Sequence, residues 1–566
     1  MRITRPPKTL RIIAPALCLL IVLLSSCGGG SGATGNNTGN NTVDTPTNNT
    51  SNDTDNGTIN DDIVEDNTDN NNTDNDNTEP DNDPNDNIND PIALTGVDQQ
   101  LLQLINGFDW DNNPLANRDL PSIDNPIAQL GKKLFFSKSL GGGFDAACAS
   151  CHHPSLGGAD QLSLAVGVDA INPDLLGRGR AHNGGLPRVP RNSPTNFNAG
   201  LWDSGMFFDS RVESLGKDTD ANGRLSGIRT PDTPFLNADP NAGDNLVAAQ
   251  ARFPVTSADE MKTNAFEVGG DNADVRAHLA ARIGNYGVGE GELARNQWLR
   301  EFQQAFGVTT DAENLVTFDN IAHALGEYQR SLVFINNPWQ NYLEGDVTAL
   351  TNQQKNGALL FFTSANNNGA GCSSCHKGSL FSDEQHHTVA FPQIGSGKGD
   401  ANNDDFGRER ETGEQADRYR FRTPSLLNIT HTAPYGHSGS YQNLRDVIRH
   451  YVNPADSIED YFDDAAWCNL DQFSNIDNCE NLYPFARVNS ENSLAKLRQE
   501  RNANQSLFDS PRLNNNEINS LVAFLQALTD PCIESRQCLA PWIADETNDN
   551  PDDQILIGTD LFGELL

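Results

Sequence analysis

Two copies of one short pattern decide how this chain folds: Cys148-Ala149-Ser150-Cys151-His152 and Cys372-Ser373-Ser374-Cys375-His376. In such a C-x-x-C-H pattern, two thiols one helical turn apart can form thioethers to the two vinyl groups of a haem, and the histidine binds the iron. A single copy would also suit a zinc site or a redox dithiol. Two copies favour two covalently bound haem c groups, with His152 and His376 as iron ligands.

A related segment precedes each haem motif. Gly131-Lys132-Lys133-Leu134-Phe135-Phe136 precedes the first, and Gly357-Ala358-Leu359-Leu360-Phe361-Phe362 precedes the second. Both segments are typical of the end of an amphipathic helix that leads into a haem loop. The repeat predicts a mostly α-helical protein with two cytochrome-c-like domains, at residues 94–335 and 336–541, followed by an acidic tail at residues 542–566.

Two later segments, Asp319–Val333 and Glu517–Thr529, have the spacing of amphipathic helices. Strands are expected to be scarce.

Residues 1–26 resemble a bacterial lipoprotein signal. Basic residues precede an apolar run, Ile12–Leu24, that is too short for a membrane-spanning helix, and small residues then precede Cys27. This predicts a lipid anchor at Cys27, and Gly28 gives no inner-membrane retention signal. The protein is therefore expected on the periplasmic side of the cell envelope, at the outer membrane. An ordinary signal peptide with cleavage nearby is the alternative.

The composition after the signal falls into two parts. Residues 27–93 are rich in Asn, Asp and Thr and have few apolar side chains, so a disordered tether is predicted. The rest is globular in composition. The formal net charge of −38 argues against nucleic acid as a partner. A protein that docks by charge should be basic or meet a locally basic patch.

Four of the ten cysteines lie outside the signal, the lipid-anchor position Cys27 and the haem motifs. They are Cys468, Cys479, Cys532 and Cys538. An even number in an oxidising compartment indicates disulfides. Proximity along the chain favours Cys468–Cys479 and Cys532–Cys538, with other pairings open.

Residues 97–530 resemble the bacterial di-haem cytochrome c peroxidases, a family that includes the MauG and MbnH enzymes. The segments that carry the resemblance, besides the haem motifs, are Arg191–Thr195, Phe207–Arg211, Phe253–Met261, Phe421–Ile429 and Thr432–Gly439. The runs Gly395–Asp400 and Phe406–Gly413 lean towards the MbnH-like branch. The resemblance implies that the N-terminal haem reacts with hydrogen peroxide and that the C-terminal haem stores or relays an electron.

The resemblance also assigns the distal residues of the peroxide-reactive haem. Gln250 and Glu260 match them by position, and they stand ten residues apart. A carboxylate above the haem can take a proton from one peroxide oxygen and return it to the other. The amide of Gln250 can hydrogen-bond the peroxide or orient a water. For Glu260 the alternative is a solvated surface carboxylate.

The sixth ligand of the second haem differs from that of the standard peroxidases. Met206 and Met261, the methionines after the signal, both precede the second haem motif, so the usual axial Met is expected to be absent. Tyr451 matches its position, and MauG-like enzymes use a Tyr there. A hard phenolate should lower the reduction potential, whereas Met raises it. The alternative is that Tyr451 is a packed aromatic and that His437 or His450 is the ligand.

Asn192, Thr432 and Pro434 match family positions that supply oxygens to an interdomain calcium ion. Amide and carbonyl oxygens suit that ion. A rival candidate, Asp218–Gly223, opens like an EF-hand loop, but Arg229 occupies the position of the closing Glu. That segment is therefore expected to be a turn rich in Asx residues.

The chain departs from the family pattern at two further places. Standard members carry a Trp between the haems where this chain has Phe208, while Trp202 lies six residues earlier. Trp202 is either the aromatic bridge between the haems or a plain core residue. His182 lies near a loop that supplies a displaceable distal ligand in some peroxidases. It either blocks the first iron at rest or is a surface histidine.

Together these features predict a lipid-anchored di-haem enzyme that reacts with hydrogen peroxide and oxidises a protein partner by long-range electron transfer. One alternative is a cytochrome c peroxidase that takes electrons from small redox proteins. Another is a non-catalytic di-haem electron carrier, which would need no distal pair such as Gln250 and Glu260. A zinc-binding structural protein would require that no haem is present.

Overall fold

A computed structural model describes residues 94–108 and 113–566. The predicted signal, the lipid-anchor residue Cys27 and the tether lie outside these ranges. The described chain is rich in helix, as predicted. The α-helices are α1 Gly96–Ile105, α2 Pro126–Phe136, α3 Leu246–Gln250, α4 Asn272–Gly284, α5 Trp298–Phe306, α6 Ala312–Leu315, α7 Phe318–Arg330, α8 Pro338–Leu343, α9 Asn352–Phe362, α10 Glu409–Thr412, α11 Leu444–Val452, α12 Pro454–Asp463, α13 Ala486–Asn502, α14 Asn515–Gln526 and α15 Arg536–Leu539.

The strands are short and few in the described ranges. They are β1 Gly205–Met206, β2 Val212–Ser214, β3 Ile228–Arg229, β4 His386–His387 and β5 Phe421–Arg422. The first three form one antiparallel sheet in the order β1-β2-β3, and β4 pairs with β5, His386 opposite Arg422. None of the helices in these ranges is both long and apolar enough to span a membrane.

The sequence repeat corresponds to two helix pairs that touch at a glycine. Helix α2 packs against α7, and α9 packs against α14. A Cβ added at Gly131 would lie 1.9 Å from the carbonyl oxygen of Ala324, and one at Gly357 would lie 1.9 Å from that of Ser520. The same glycine of the repeat therefore permits close backbone contact in both halves. The predicted helices at 319–333 and 517–529 are confirmed as the partners α7 and α14.

The buried apolar side chains form two large clusters. One is built mainly from residues 123–334 and includes Trp298, Phe302 and Tyr328. The other is built mainly from residues 335–528. Helix α1 packs on the second cluster through α9, and the Asp98 carboxylate lies 2.8 Å from the Lys355 ammonium.

The segment predicted to be an acidic tail packs on the first cluster. Ile555 and Leu556 are buried in it, and the Leu556 N–H donates a hydrogen bond of 2.7 Å to the carbonyl of Phe136. The buried Asp552 carboxylate accepts hydrogen bonds from the Trp298 indole at 2.7 Å and from the hydroxyls of Ser137 and Ser139. The end of the chain thus helps to hold α2, the helix that leads into the first haem motif.

The two expected disulfides, Cys468–Cys479 and Cys532–Cys538, are confirmed. Cys148, Cys151, Cys372 and Cys375 take part in neither disulfide.

The glycine contacts give a first prediction. Gly131→Ala and Gly357→Ala should each lower the free energy of unfolding by about 1–3 kcal/mol, because the added methyl group forces the helix backbones apart. Chemical denaturation measures the loss. Gly96→Ala is the control, since nothing lies within 4 Å of its added Cβ. If all three variants have the same free energy of unfolding, the repeated glycine is not needed for close contact between the helices.

Candidate active site

Most of the side chains that the sequence analysis assigns to the two haem sites line one connected cavity. Its empty volume is ≈ 3210 Å³, including the part that opens to solvent. Its walls include the Cys and His residues of both haem motifs, the distal candidates Gln250 and Glu260, Tyr451, and the calcium candidates Asn192, Thr432 and Pro434.

The first motif follows α2 after a connecting loop and contacts that helix. Cys148–Ser150 form a short 3-10 turn, and the His152 ring follows it into the cavity wall. Nδ1 of His152 lies 3.1 Å from the carbonyl oxygen of Gly158, which leaves Nε2 as the nitrogen for an iron. Burial lowers the pKa of His152, so the imidazole is neutral, as a metal ligand must be.

The second motif repeats this arrangement. Cys372–Ser374 form the equivalent 3-10 turn after α9. Nδ1 of His376 lies 2.9 Å from the carbonyl oxygen of Phe381, and burial again lowers the pKa of the imidazole. Both histidines are therefore oriented by a backbone carbonyl within a few residues of the motif.

The donor set fits a haem better than a zinc ion. A zinc site needs four ligand atoms that converge on one point. Among the described residues, the one group of three candidate ligand atoms lying within 4.8 Å of one another is Cys375, Asp383 and His387. Two thiols and a separate histidine around a large cavity are instead what a covalently attached macrocycle requires.

Gln250 and Glu260 lie on the side of the first motif. Gln250 ends α3, and Glu260 belongs to a single π-helical turn, Ala258–Lys262. Burial raises the pKa of the Cys151 thiol, and the charges of Asp160 and Glu260 contribute in the same direction. Glu260 is half-buried in the cavity wall and is not a fully exposed surface carboxylate.

Tyr451 lies on the side of the second motif. Its ring packs edge-on against Phe391 and Phe508 with centroid distances of 5.8 and 5.1 Å. Burial raises the pKa of Tyr451, and the thiols of Cys375 and Cys372 act in the same direction. Without a metal, the phenol would therefore stay protonated at neutral pH.

The two histidine alternatives to Tyr451 differ in what their rings contact. Both ring nitrogens of His450 are engaged, Nε2 with the Val389 carbonyl at 2.8 Å and Nδ1 with the Tyr441 hydroxyl at 3.0 Å. His437 lines the cavity and stacks on Phe421 at 3.9 Å between ring centroids. His450 therefore has no nitrogen left for an iron.

The three calcium candidates share the cavity wall, but two of them also make local hydrogen bonds. The Asn192 amide N–H donates to the Leu162 carbonyl at 2.8 Å, and the Thr432 hydroxyl donates to the Ile429 carbonyl at 3.1 Å. The Asn192 side-chain oxygen and the backbone carbonyls of Thr432 and Pro434 are the donors that calcium would use.

The rival calcium loop is a turn closed by an arginine. Arg118 lies 2.8 Å from Asp203 and 3.3 Å from Asp220. The Asp203 carboxylate also accepts backbone N–H bonds from Asp220 and Asn222. The guanidinium group thus pairs with Asp220, one of the two carboxylates in the loop. The segment is a turn, as expected from its Asx residues.

Trp202 and Phe208 both line the cavity beside Arg422. The Arg422 guanidinium carbon lies 3.6 Å from the Trp202 ring centroid, and the Phe208 carbonyl accepts the Arg422 backbone N–H at 2.8 Å. Trp202 is also buried in the second core cluster, which confirms the core interpretation. A role as the aromatic bridge between the haems stays a prediction. His182 is buried, with 4% of its surface exposed, which makes the surface interpretation wrong. It is also not one of the cavity-lining residues.

Sequence reasoning missed the charged network in this wall. Arg191 donates two hydrogen bonds to Asp405, at 2.7 and 2.8 Å, and one to Asp209, at 2.7 Å. Burial opposes ionisation of Asp405, but Arg191 outweighs it and lowers the pKa of Asp405 to about 2. Lys398 lines the cavity too, although its glycine-rich run served in the sequence only as a family signature.

Fold and site together define a haem-dependent oxidoreductase. The chain belongs to the di-haem cytochrome c peroxidase family, whose model matches residues 125–348. It is 30% identical over 329 residues to the cytochrome c551 peroxidase of Pseudomonas aeruginosa, which covers 58% of this chain and 71% of the relative. It is 27% identical over 343 residues to the methylamine utilization protein MauG of Methylorubrum extorquens, covering 60% and 71%.

Among solved structures, the chain is similar to a MauG-like protein associated with microbial copper homeostasis. The identity is 22%, the TM-score is 0.47, and the match covers 76% of this chain and 98% of the other. The diheme peroxidase BthA from Burkholderia thailandensis matches with 22% identity, a TM-score of 0.44, and 74% and 89% coverage.

The network predicts a pH-dependent loss of stability. Asp405→Asn should lower the free energy of unfolding at pH 7 by about 3 kcal/mol, because Arg191 loses a buried partner. Because the pKa of Asp405 is depressed in the folded state, this contribution is present above the unfolded pKa of about 3.9 and is lost as the pH falls towards 2. Denaturation curves between pH 7 and pH 2 measure it.

Asp319→Asn is the control, because Asp319 is an exposed partner of Arg252. Its effect should be small at every pH. A deficit for Asp405→Asn that stays constant down to pH 2 would contradict the assignment.

Proposed function

We propose that this chain is a di-haem c-type enzyme that reacts with hydrogen peroxide and oxidises a protein partner by long-range electron transfer. The observation that supports this proposal best is the single cavity, which both Cys–Cys–His sets line. Gln250 and Glu260 lie beside the first set, and Tyr451 lies beside the second. Each haem, when bound, would supply an iron that changes its oxidation state. Cys148, Cys151 and His152 would hold one haem, and Cys372, Cys375 and His376 the other.

Glu260 would act as the acid–base group for peroxide. Breaking the O–O bond of peroxide requires a proton to move from one oxygen to the other, and a carboxylate in a shielded cavity can carry it. Gln250 would hold the peroxide or a water by its amide. A non-catalytic electron carrier has no need for such a pair of residues. The pair therefore argues against the alternative that this chain is a di-haem electron carrier.

Tyr451 would bind the second iron as a phenolate. The coordinated ion stabilises the deprotonated form, which burial otherwise disfavours. A phenolate ligand lowers the reduction potential, so this haem would accept electrons poorly from ordinary carriers and would hold oxidising charge well. That property supports oxidation of a protein partner and the MauG-like and MbnH-like branch of the family.

An interdomain calcium ion would bind in the same cavity wall. Asn192, Thr432 and Pro434 would supply their oxygens to that ion, with waters completing the shell. Cys27 would anchor the enzyme by lipid on the periplasmic side of the outer membrane, and the tether would let it reach a partner. Because the chain is strongly acidic, a partner that docks by charge would present a basic patch.

The second candidate function is a cytochrome c peroxidase that takes electrons from small redox proteins. The 30% identity to a cytochrome c551 peroxidase favours it.

The reaction with one equivalent of peroxide, added to the fully oxidised protein, distinguishes the two candidate functions. A prompt and long-lived optical change supports the first proposal. A reaction that needs prior one-electron reduction supports the second.

Glu260→Gln should slow the reaction with peroxide by about 100-fold or more, because the amide cannot accept the proton. Stopped-flow absorbance measures the rate. The haem content, measured by pyridine haemochrome, should equal that of the wild type. Asp259→Asn, one residue earlier in the same turn, is the matched control. An unchanged rate in Glu260→Gln would remove Glu260 from the mechanism.

Tyr451→Met should raise the reduction potential of the second haem, because a thioether stabilises the reduced iron where a phenolate stabilises the oxidised iron. Spectroelectrochemical titration of both haems measures the shift, which should leave the first haem nearly unchanged. Tyr441→Phe is the control aromatic, since its hydroxyl contacts His450 instead. Equal potentials in Tyr451→Met and wild type would mean that another residue is the ligand.

A further inference from the structure

We propose that Gly167 and Arg180 are positioning residues for Glu260, because Arg180 holds a loop whose Gly167 backbone lies directly against the turn that contains Glu260. The inference rests on the proposed function, since it concerns the group that would move the peroxide proton. Neither residue is one that the sequence alone assigned to a site. Contacts between backbone atoms in the structure point to both of them.

The turn that contains Glu260 is a short element closed by one carbonyl. In Ala258–Lys262, a single π-helical turn, the N–H groups of Met261 and Lys262 donate to the Ser257 carbonyl at 3.1 and 2.8 Å. Single π-helical turns are rare and occur frequently at functional sites. An isolated turn is unstable by itself, because it fixes several backbone angles for few hydrogen bonds. Its neighbours therefore determine where the Glu260 side chain lies.

Gly167 makes the closest of these neighbouring contacts to Glu260. A Cβ added at Gly167 would lie 2.2 Å from the Glu260 carbonyl oxygen, 2.5 Å from that of Asp259 and 2.7 Å from the Glu260 Cα. The next residue, Val168, donates its N–H to the Asp259 carbonyl at 3.4 Å. A side chain at position 167 would fit only if the turn moved. The glycine thus allows the loop to fix the backbone of Glu260 directly.

The Arg180 guanidinium holds this loop in place. Its Nε donates to the Val166 carbonyl at 2.7 Å, and its Nη2 donates to the Gly167 carbonyl at 3.0 Å. Its Nη1 donates to the carbonyls of Pro173 and Leu175 at 2.8 and 3.1 Å. Arg180 is buried, and a buried charge is unfavourable unless it is well hydrogen-bonded. These bonds satisfy the charge and at the same time fix the backbone on both sides of Gly167.

A second segment contacts the other end of the turn in a similar way. The Gly142 N–H donates to the Met261 carbonyl at 2.8 Å, and a Cβ added at Gly142 would lie 1.8 Å from the Lys262 carbonyl oxygen. The buried Arg282 donates to the Gly141 carbonyl at 2.8 Å. The turn is therefore held at each end by a glycine segment that a buried arginine fixes.

The consequence concerns where the Glu260 carboxylate lies in the cavity. Glu260 is half-buried in the wall of the cavity that the first haem motif also lines. A carboxylate can accept a proton from peroxide only if it lies within hydrogen-bond reach of that proton. A misplacement of about 1 Å can slow a reaction by about 100-fold. The contact at Gly167 is thus expected to affect the rate through the position of Glu260.

Gly167→Ala tests the contact, because the added methyl group displaces the turn and leaves the Glu260 side chain itself unchanged. The peroxide reaction of the holoenzyme should slow by about tenfold or more, with the haem content unchanged. In a Glu260→Gln background, the same substitution should change the rate by less than about twofold, because the displaced group no longer takes part. Gly96→Ala is the control, since nothing lies within 4 Å of its added Cβ.

Arg180→Met should act in the same direction as Gly167→Ala, because the loop loses the hydrogen bonds that hold its carbonyls. The matched control is Arg178→Met, which removes an exposed arginine of the same segment that pairs with Asp471. Arg178→Met should leave the rate unchanged. A rate in Arg178→Met as low as that in Arg180→Met would contradict the role of the buried guanidinium.

Hydrogen exchange, followed by mass spectrometry, gives a readout that does not depend on turnover. The amides of residues 258–262 should exchange about tenfold faster in Gly167→Ala and Arg180→Met than in the wild type and the two controls. Wild-type exchange in both variants, or an equal fall in rate with and without Glu260, would overturn the inference. If exchange accelerates while Glu260→Gln reacts with peroxide at the wild-type rate, the positioning contact holds and the proposed function fails.

Discussion

The close contact of helix backbones at Gly131 and Gly357 is the constraint on which the site depends. Each glycine lies one turn before a pair of phenylalanines, and each helix contacts the 3-10 turn of the haem motif that follows it. Phe135 and Phe361, equivalent in the repeat, both line the cavity. The distance between the paired helices therefore sets where the motif turns and the floor of the cavity lie. Side chains at the glycines would change the cavity in both halves.

The cavity wall is made from both halves of the sequence, and buried charges hold those parts together. Arg191, which begins one of the segments that resemble the family, binds Asp405, more than two hundred positions later. Lys398 lies in the wall of the same cavity. A shared wall of this kind brings residues that follow the second motif to the cavity that the first motif also lines.

The sequence predicts the parts of the molecule that local patterns determine. The C-x-x-C-H motifs, the helices α7 and α14 and both disulfides depend on spacing along the chain, and they are where the pattern placed them. Contacts between distant segments leave no such pattern. The engaged nitrogens of His450, the burial of His182 and the Arg118 group that closes the Asp218–Gly223 turn all depend on partners far away in sequence. The position of Lys398 in the cavity wall could not be predicted for the same reason, since a lysine between glycines is common on surfaces.

Ile555 and Leu556 complete the core around α2, although more than four hundred residues separate them from that helix. Because a chain is made from its N-terminal end, the first core lacks these two side chains until residues 555 and 556 have been synthesised. The core around α2 is therefore completed last, although the helix itself is made early.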